Sequence, residues 1–236
     1  TNLILTYQSE ESLSPTRSYV SDDYYGLLDT DESMYDGFLD IGIGRLPASD
    51  VEEAADLVDK VIAYSDPSKQ GEWRNALCFI GDDEDNNIHM QQADELASYV
   101  ETYYPAYNIN KIIMDAYIQE DLATGPRYPD VNRAINDQVN RGALIVNYTG
   151  HGGPTGLAHE KITTTNDILS WSNKNMLPLF MTATCEFSRY DEYNRAEDQE
   201  ETSAGEEVLL NTEGGGIGLF TTTRLVYSDP NHELNE

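Results

Sequence analysis

Five apolar runs, separated by helical segments, restrict the folds open to this chain more than any other feature. The runs are ALCFIG, INKIIMDAY, ALIVNYTG, LPLFMTATC and GIGLFTTTR. Helical patterns between them lie around residues 90–104, 129–141, 165–172 and 203–210. Continuous apolar strands that alternate with helices are typical of a parallel sheet whose two faces are both covered. From residue 75 onward the sequence therefore predicts an α/β sandwich.

The residues before this region follow a less regular pattern. FLDIGIGRLP predicts a strand that its proline ends, because proline cannot donate a hydrogen bond to a neighbouring strand. A helix is expected from about Ser49 to Tyr64, with Ser49 and Glu52 as a capping box. We therefore divide the chain into a partial N-terminal subdomain, residues 1–66, and a larger subdomain, residues 67–236.

The charge of the chain limits its partners. The 236 residues include 14 Lys and Arg against 43 Asp and Glu, a formal charge of −29. Such an excess repels phosphate backbones, so nucleic acid is not an expected partner. It suits an extracytoplasmic or cation-binding protein, although solubility alone is the simpler explanation. The acidic stretch DEYNRAEDQEETSAGEE, residues 191–207, is predicted to be a solvent-facing loop.

Other sequence features bear on where the protein works. No apolar run approaches the roughly 18 residues of a membrane span. The chain begins at Thr1 without a methionine or a visible signal peptide, and we therefore expect it to be a segment of a longer protein. Two cysteines, Cys78 and Cys185, are too few for a disulfide framework, although a single bridge between them stays open.

Two reactive side chains follow neighbouring strands of the predicted sheet. His151 comes directly after the third apolar run, and Cys185 ends the fourth, 34 residues later. Ligands of such sheets bind beyond the carboxyl ends of the strands. An imidazole can generate the thiolate that makes a cysteine nucleophilic, and the amides of Gly152 and Cys185 could form an oxyanion hole. The alternative is a buried structural cysteine and an unrelated turn histidine.

The remaining histidines and acidic clusters have plainer interpretations. His89 and His159 could ligate a metal, but scattered histidines without tight spacing usually do not. His232 is expected in solvent, and Cys78 is expected to be a small buried hydrophobe. DDEDNN and DTDES offer clustered oxygens for Ca²⁺, yet neither follows the EF-hand pattern, so ordinary acidic loops are the alternative.

Several sequence blocks carry a family resemblance. NYTGHG followed by TATCEFSR, after SDDYYG, DIGIGR and ALCFIGDDED, resembles the gingipain-type cysteine peptidases. The resemblance implies a caspase-like three-layer α/β/α sandwich with a mostly parallel sheet, preceded by a smaller partial α/β subdomain. It implies that His151 is the general base and acid, that Cys185 is the nucleophile, and that Asp83, or alternatively Asp82, orients the histidine. It requires no cofactor, and it allows for structural calcium because gingipains bind that ion.

Four longer blocks resemble a narrower group, the sortases of the type IX secretion system. These blocks are RSYVSDDYYGLLD, VNRGALIVNYTGHG, LPLFMTATCEFSRYD and GLFTTTRLVYS. The resemblance implies a peptidase that removes the C-terminal secretion signal of cargo proteins and joins the cargo to a lipopolysaccharide acceptor. The implied location is the outer membrane surface of a Gram-negative bacterium, with other secretion-system proteins as partners. A secreted endopeptidase and an inactive caspase-like scaffold that binds cargo or calcium are the alternatives.

Overall fold

A five-stranded parallel sheet forms the centre of the protein. The computed structural model describes residues 4–10, 14, 16–194 and 199–235. The strands of the sheet are β1 (Ala76–Gly81), β2 (Asn108–Ile113), β3 (Ile145–Thr149), β4 (Leu179–Ala183) and β5 (Gly218–Phe220). Their order across the sheet is β5–β4–β3–β1–β2, and all neighbours are parallel. Each strand lies within one of the five apolar runs or extends one residue beyond it, so the predicted sheet is confirmed.

Helices cover both faces of this sheet. They are α1 (Val51–Tyr64), α2 (Ile88–Tyr103), α3 (Pro129–Arg141), α4 (Thr165–Ser170), α5 (Ala204–Leu210) and α6 (Ser228–Asn235). Helices α2 and α6 contact one face, α3 and α5 contact the other, and α4 packs against α5. The result is the predicted three-layer sandwich. None of the described helices has both the length and the apolar character needed to cross a bilayer.

Side chains of β1 show why the strand runs are continuously apolar. Leu77 and Phe79 pack with Ala97 of α2 on one face. Cys78 and Ile80 point to the opposite face and join the larger core cluster. Alternate residues of a strand face opposite sides, so a sheet covered on both sides needs apolar residues at every position. Burying each large aliphatic side chain contributes about 1.5–3 kcal/mol.

Short antiparallel pairings surround the sheet. They are Tyr7–Gln8 with Val20–Ser21, Glu120–Leu122 with Gly125–Arg127, Tyr193–Asn194 with Gln199–Glu200, and a three-stranded set of Gly152–Gly153, Gly156–Leu157 and Thr163–Thr164. The predicted acidic loop at 191–207 falls partly on residues 195–198, which lie outside the described residues. Around them the chain forms a strand pair and the start of α5, so the loop prediction is wrong there.

The predicted strand in FLDIGIGRLP is also wrong. Residues 38–47 form no strand among the described residues, and their one backbone hydrogen bond to a distant described segment, from the Asp40 amide to the Gly26 carbonyl at 2.9 Å, does not extend into a strand pairing. Phe38 is 85% exposed and Leu46 is 50% exposed. Apolar residues alone do not make a strand, because the backbone donors and acceptors also need a neighbouring segment. The division of the chain between residues 66 and 67 stays a prediction.

The cap of α1 lies one residue later than predicted. Asp50 is the N-cap, and its carboxylate accepts a hydrogen bond from the Glu53 amide at 2.9 Å. Glu53 in turn accepts a hydrogen bond from the Ser49 amide at 2.7 Å. The predicted pairing of Ser49 with Glu52 is therefore wrong, because Asp50 supplies the capping oxygen in place of the serine.

Three strand ends coincide at one edge of the sheet. Gly81 of β1 pairs with Thr149 of β3, and Thr149 pairs with Ala183 of β4. The residues that follow these three positions therefore leave the sheet side by side. This alignment brings the loop after β1, His151 and Cys185 to a common edge.

Candidate active site

The backbone of His151 is fixed from two directions. Its amide donates a hydrogen bond to Oδ2 of Asp82 at 2.8 Å, and its carbonyl accepts one from the hydroxyl of Tyr148 at 2.6 Å. A Cβ at the preceding Gly150 would collide with Asp82 and with the Tyr148 hydroxyl, so this approach requires glycine. Burial raises the pKa of Tyr148, which keeps its hydroxyl protonated as a donor. Burial also raises the pKa of Asp82, an effect that the His151 amide opposes.

The imidazole of His151 lies among acidic and aromatic groups. Its Nε2 is 3.1 Å from Oδ2 of Asp85 and 3.6 Å from Oε2 of Glu84. The ring packs edge-on against His89, with centroids 5.2 Å apart, and stacks on His159 at 5.0 Å. Its side chain is 31% exposed. The ring is therefore held in place but is still accessible from solvent.

The hydrogen bond to Asp85 selects the tautomer of His151. An ionised carboxylate only accepts hydrogen bonds, so the ring proton must be on Nε2. In the neutral imidazole Nδ1 then carries the free lone pair, which can accept a proton. A carboxylate that follows β1 thus determines which ring nitrogen of His151 stays free.

An unusual turn brings Asp85 to the histidine. Asp85, Asn86 and Asn87 have positive φ values of 52°, 57° and 69°. Asp and Asn tolerate this left-handed region better than other residues with a side chain. The turn reverses the chain after β1 and leads directly into α2.

Asp83 and Asp82 do not make the predicted contact with the imidazole. Oδ2 of Asp83 accepts a hydrogen bond from the Tyr128 hydroxyl at 2.6 Å, and Asp82 contacts the backbone of His151. The ring contact predicted for Asp83 is made by Asp85 instead. In the sequence, only the run of Asp and Asn residues in DDEDNN indicates the left-handed turn. The run does not indicate which carboxylate the turn places beside the His151 ring.

Cys185 faces the same pocket as His151. The pocket has a volume of about 90 Å³, and the first residues of α6 form part of its wall. Both cysteines are free thiols. Sγ of Cys185 lies 3.7 Å from the carbonyl oxygen of Val226. Cys78, by contrast, is only 1% exposed, and its burial raises the thiol pKa to about 12, so the predicted buried character of Cys78 is confirmed.

The loops that carry the two groups touch each other. A Cβ at Gly152 would lie 2.5 Å from Oγ1 of Thr184, the residue before Cys185. Across residues 4–10, 14, 16–194 and 199–235, no backbone acceptor pairs with the Cys185 amide, which leaves it able to donate to a substrate oxygen. The oxyanion hole formed by Gly152 and Cys185 stays a prediction.

A group of oxygen donors lies behind the histidine. Asp82, Asp83 and Glu160 place one carboxylate oxygen each within 4.8 Å of one another. Oδ1 of Asp83 and Oε2 of Glu160 are buried without a hydrogen bond in the described structure, and burial raises the pKa of Glu160. An oxygen-only donor set suits Ca²⁺. Calcium binding stays a prediction, and DTDES takes part in no such group within the described residues.

The four histidines are closer together than their spacing in the sequence indicates. His232, expected in solvent, is half-buried and lines the same pocket as His89 and His151, so that prediction is wrong. Nδ1 of His159 is 2.8 Å from Oε2 of Glu84, and this contact raises the pKa of His159. Tertiary structure brings these rings together from three separate segments, which spacing along the chain cannot show.

Comparison with known proteins decides the family. The model of peptidase family C25 matches residues 1–236, which is the whole chain. The chain belongs to peptidase family C25. Among curated proteins, Lys-gingipain HG66 of Porphyromonas gingivalis is 28% identical over 174 residues. The match covers 73% of this chain and 9% of that protein.

Solved structures show the C25 fold. The crystal structure of the Arg specific cysteine proteinase gingipain R superimposes with a TM-score of 0.69 at 21% identity, covering 92% of this chain and 47% of that chain. The complex of the pro- and mature domains of Porphyromonas gingivalis RgpB gives a TM-score of 0.71 at 21% identity, covering 92% and 48%. The predicted caspase-like α/β fold is confirmed. This C25 chain spans less than half the length of each of these relatives.

Proposed function

We propose that the chain is the catalytic part of a cysteine peptidase in which Cys185 is the nucleophile and His151 is the general base and acid. One observation carries this proposal: the two side chains line a single pocket at the carboxyl ends of neighbouring parallel strands. Membership of peptidase family C25 supports it. Asp85 takes the orienting role that the sequence resemblance gave to Asp83, because Asp85 contacts the ring.

The proposed reaction proceeds through a thioester. Nδ1 of His151 accepts the thiol proton of Cys185, and the thiolate attacks the carbonyl carbon of the substrate peptide. The amides of Gly152 and Cys185 donate hydrogen bonds to the oxyanion that forms. His151 then returns the proton to the departing amine as the C–N bond breaks. Water attacks the thioester in the second half of the reaction, which releases the acid and the free thiol.

We also propose a narrower role as a sortase of the type IX secretion system, similar to PorU. The support is the resemblance of the four long sequence blocks, two of which contain His151 and Cys185. An amine of a lipopolysaccharide acceptor would then replace water at the thioester. The substrates would be the C-terminal signal domains of cargo, the partners would be other secretion-system proteins, and the location would be the outer membrane surface.

Covalent labelling tests the cysteine peptidase proposal. The full-length protein would be treated with a peptide chloromethyl ketone, and the modified residue would be located by mass spectrometry. We expect labelling at Cys185, its loss in His151→Ala, and normal labelling in Cys78→Ala because that thiol is buried. An inactive scaffold predicts that His151→Ala and the wild type react equally slowly.

Acceptor competition tests the sortase proposal separately. The same protein would be incubated with a peptide substrate and an amine acceptor, and the masses of the products would be measured by mass spectrometry. A sortase forms the ligated product in competition with hydrolysis. Hydrolysed product alone, at saturating acceptor, contradicts the sortase role and favours a secreted endopeptidase.

A further inference from the structure

A carboxylate lies between two imidazoles beside the Cys185 pocket. Oδ2 of Asp85 is 3.1 Å from Nε2 of His151 and 3.4 Å from Nε2 of His89. Asp85 lies four residues before His89, in the left-handed turn that leads into α2, whereas His151 follows the end of β3. Two sequence segments thus converge on one point with two nitrogen donors and one oxygen donor.

The buried imidazole of His89 is the feature that points to a metal ligand set. Its side chain is only 7% exposed. Neither ring nitrogen has a hydrogen-bond partner within the described part of the chain, although Nε2 points toward Asp85. Buried polar groups almost always have a partner, because leaving them unpaired is costly. An ion between His89 and Asp85 would provide that partner.

The spacing of the donor atoms fits zinc. Zinc binds imidazole nitrogen and carboxylate oxygen at about 2.0–2.2 Å, so donors at neighbouring corners of its tetrahedron are about 3.3 Å apart. The two measured separations, 3.1 and 3.4 Å, agree with this value. All three donor atoms lie within 4.8 Å of one another, so only the two imidazoles need to approach each other. A set of two histidines and one carboxylate leaves a fourth position open.

We propose that Asp85, His89 and His151 form a Zn²⁺ site that switches off the neighbouring thiol. A neutral imidazole carries one proton, so when Nε2 of His151 binds the metal the proton moves to Nδ1. His151 then has no lone pair with which to accept the thiol proton of Cys185. The inhibitory part rests on the function proposed above, whereas metal binding itself does not.

Metal titration tests the site without using activity. Chelator-treated full-length protein would be titrated with Zn²⁺ by calorimetry, and with Co²⁺ as a spectroscopic probe. We expect one equivalent to bind, with visible Co²⁺ bands of a nitrogen and oxygen donor set and no thiolate charge-transfer band. Cys185→Ala should keep this site.

Two charge-matched variants make the titration specific. Asp85→Asn replaces the anionic oxygen donor with a weaker, neutral amide oxygen, at a residue that is 58% exposed and whose positive φ asparagine tolerates, so it should fold. Asp94→Asn removes the same charge from a side chain of α2 that is also 58% exposed. We expect Zn²⁺ affinity to fall at least about 100-fold in the first variant and to stay unchanged in the second, because losing a direct ligand costs at least as much as losing its support.

Three outcomes would overturn the proposal. Zn²⁺ affinity that is unchanged in Asp85→Asn would mean that Asp85 is not a ligand, and affinity that falls equally in Asp94→Asn would mean binding by general negative charge. Affinity lost in His159→Ala but kept in His89→Ala would place the ion at Glu84, His151 and His159 instead. In the wild type, Zn²⁺ should also slow labelling of Cys185 by the peptide ketone, and chelator should restore it. If Zn²⁺ binds at Asp85 but the peptide ketone never labels Cys185, the result contradicts the peptidase function and still supports the metal site.

Discussion

Adding one methyl group at Gly152 should disturb the reactive cysteine through its neighbour Thr184. In Gly152→Ala the new Cβ would lie 2.5 Å from Oγ1 of Thr184, whereas ordinary contact begins at 3.4 Å. The Thr184 side chain or one of the two loops must therefore shift by about 0.9 Å, and overpacking of this kind costs about 1–3 kcal/mol. A displacement of about 1 Å at a reacting group can lower the rate about 100-fold. We expect kcat/KM for peptide cleavage to fall by about 10–100-fold.

The chain offers a matched control and a rescue for this change. A Cβ at the adjacent Gly153 meets no atom within 4 Å, so Gly153→Ala should keep wild-type activity. Thr184→Ala removes both side-chain atoms that the new methyl would meet, and its buried Oγ1 has no partner to lose within the described structure. The double variant Gly152→Ala/Thr184→Ala should therefore recover most of the lost activity. Peptide hydrolysis, the rate of thiol alkylation and the denaturation midpoint would be measured for all four variants.

Two results would refute this reasoning. Equal activity of Gly152→Ala and Gly153→Ala would mean that the loops adjust without moving the thiol. If the double variant loses as much activity as the two single variants together, the Thr184 side chain does not transmit the steric effect of the new methyl group. A lower denaturation midpoint of Gly152→Ala would not account for slower alkylation, because alkylation is measured on the folded protein.

Three further predictions, which use four substitutions, test other contacts of the site and the fold. Lys60→Met should lower the free energy of unfolding by about 2–4 kcal/mol in urea titrations, because the ammonium donates to three backbone carbonyls, one in the last turn of α5 and two beyond it, at 2.6, 2.8 and 3.0 Å. Burial lowers the pKa of Lys60 to about 8, so this comparison belongs at pH 7, where the ammonium form dominates. Tyr148→Phe removes the donor to the His151 carbonyl and should cost about 1–3 kcal/mol in the same assay; an unchanged midpoint would show that the contact is dispensable. Asp85→Asn should lower kcat/KM about 10-fold or more, because asparagine no longer fixes the imidazole tautomer, and Asp83→Asn should lower it much less; the reverse order would return the orienting role to Asp83.

The sheet was predictable from sequence because its strands are buried on both faces. A run such as ALCFIG can be recognised as a strand without knowing its neighbours in the sheet, because every residue of Ala76–Gly81 must be apolar or small. The segment at residues 38–47 shows the limit of that reasoning. It also carries large apolar side chains, but strand formation depends in addition on a neighbouring segment to pair with, which the residues of one segment do not reveal.

The site was predictable only as far as strand ends determine it. His151 and Cys185 could be placed together because parallel strands finish at the same edge. Asp85 and His89 could not, since three consecutive left-handed residues decide where the loop after β1 returns. Propensity allows such a turn at Asp and Asn but does not require it, so the choice among four neighbouring carboxylates depends on tertiary packing.

The strands end side by side at Gly81, Thr149 and Ala183, so the position of the site depends on the sheet and not on which reactive side chains it carries. Backbone pairing fixes these positions, so replacing the side chains at 151 and 185 leaves their spacing intact. Deleting one residue from β3 would instead retract the histidine by about 3.3 Å and turn it to the opposite face. An engineer could therefore install a different pair of reactive groups here, or lengthen the connections at the far edge, provided that no strand changes its length.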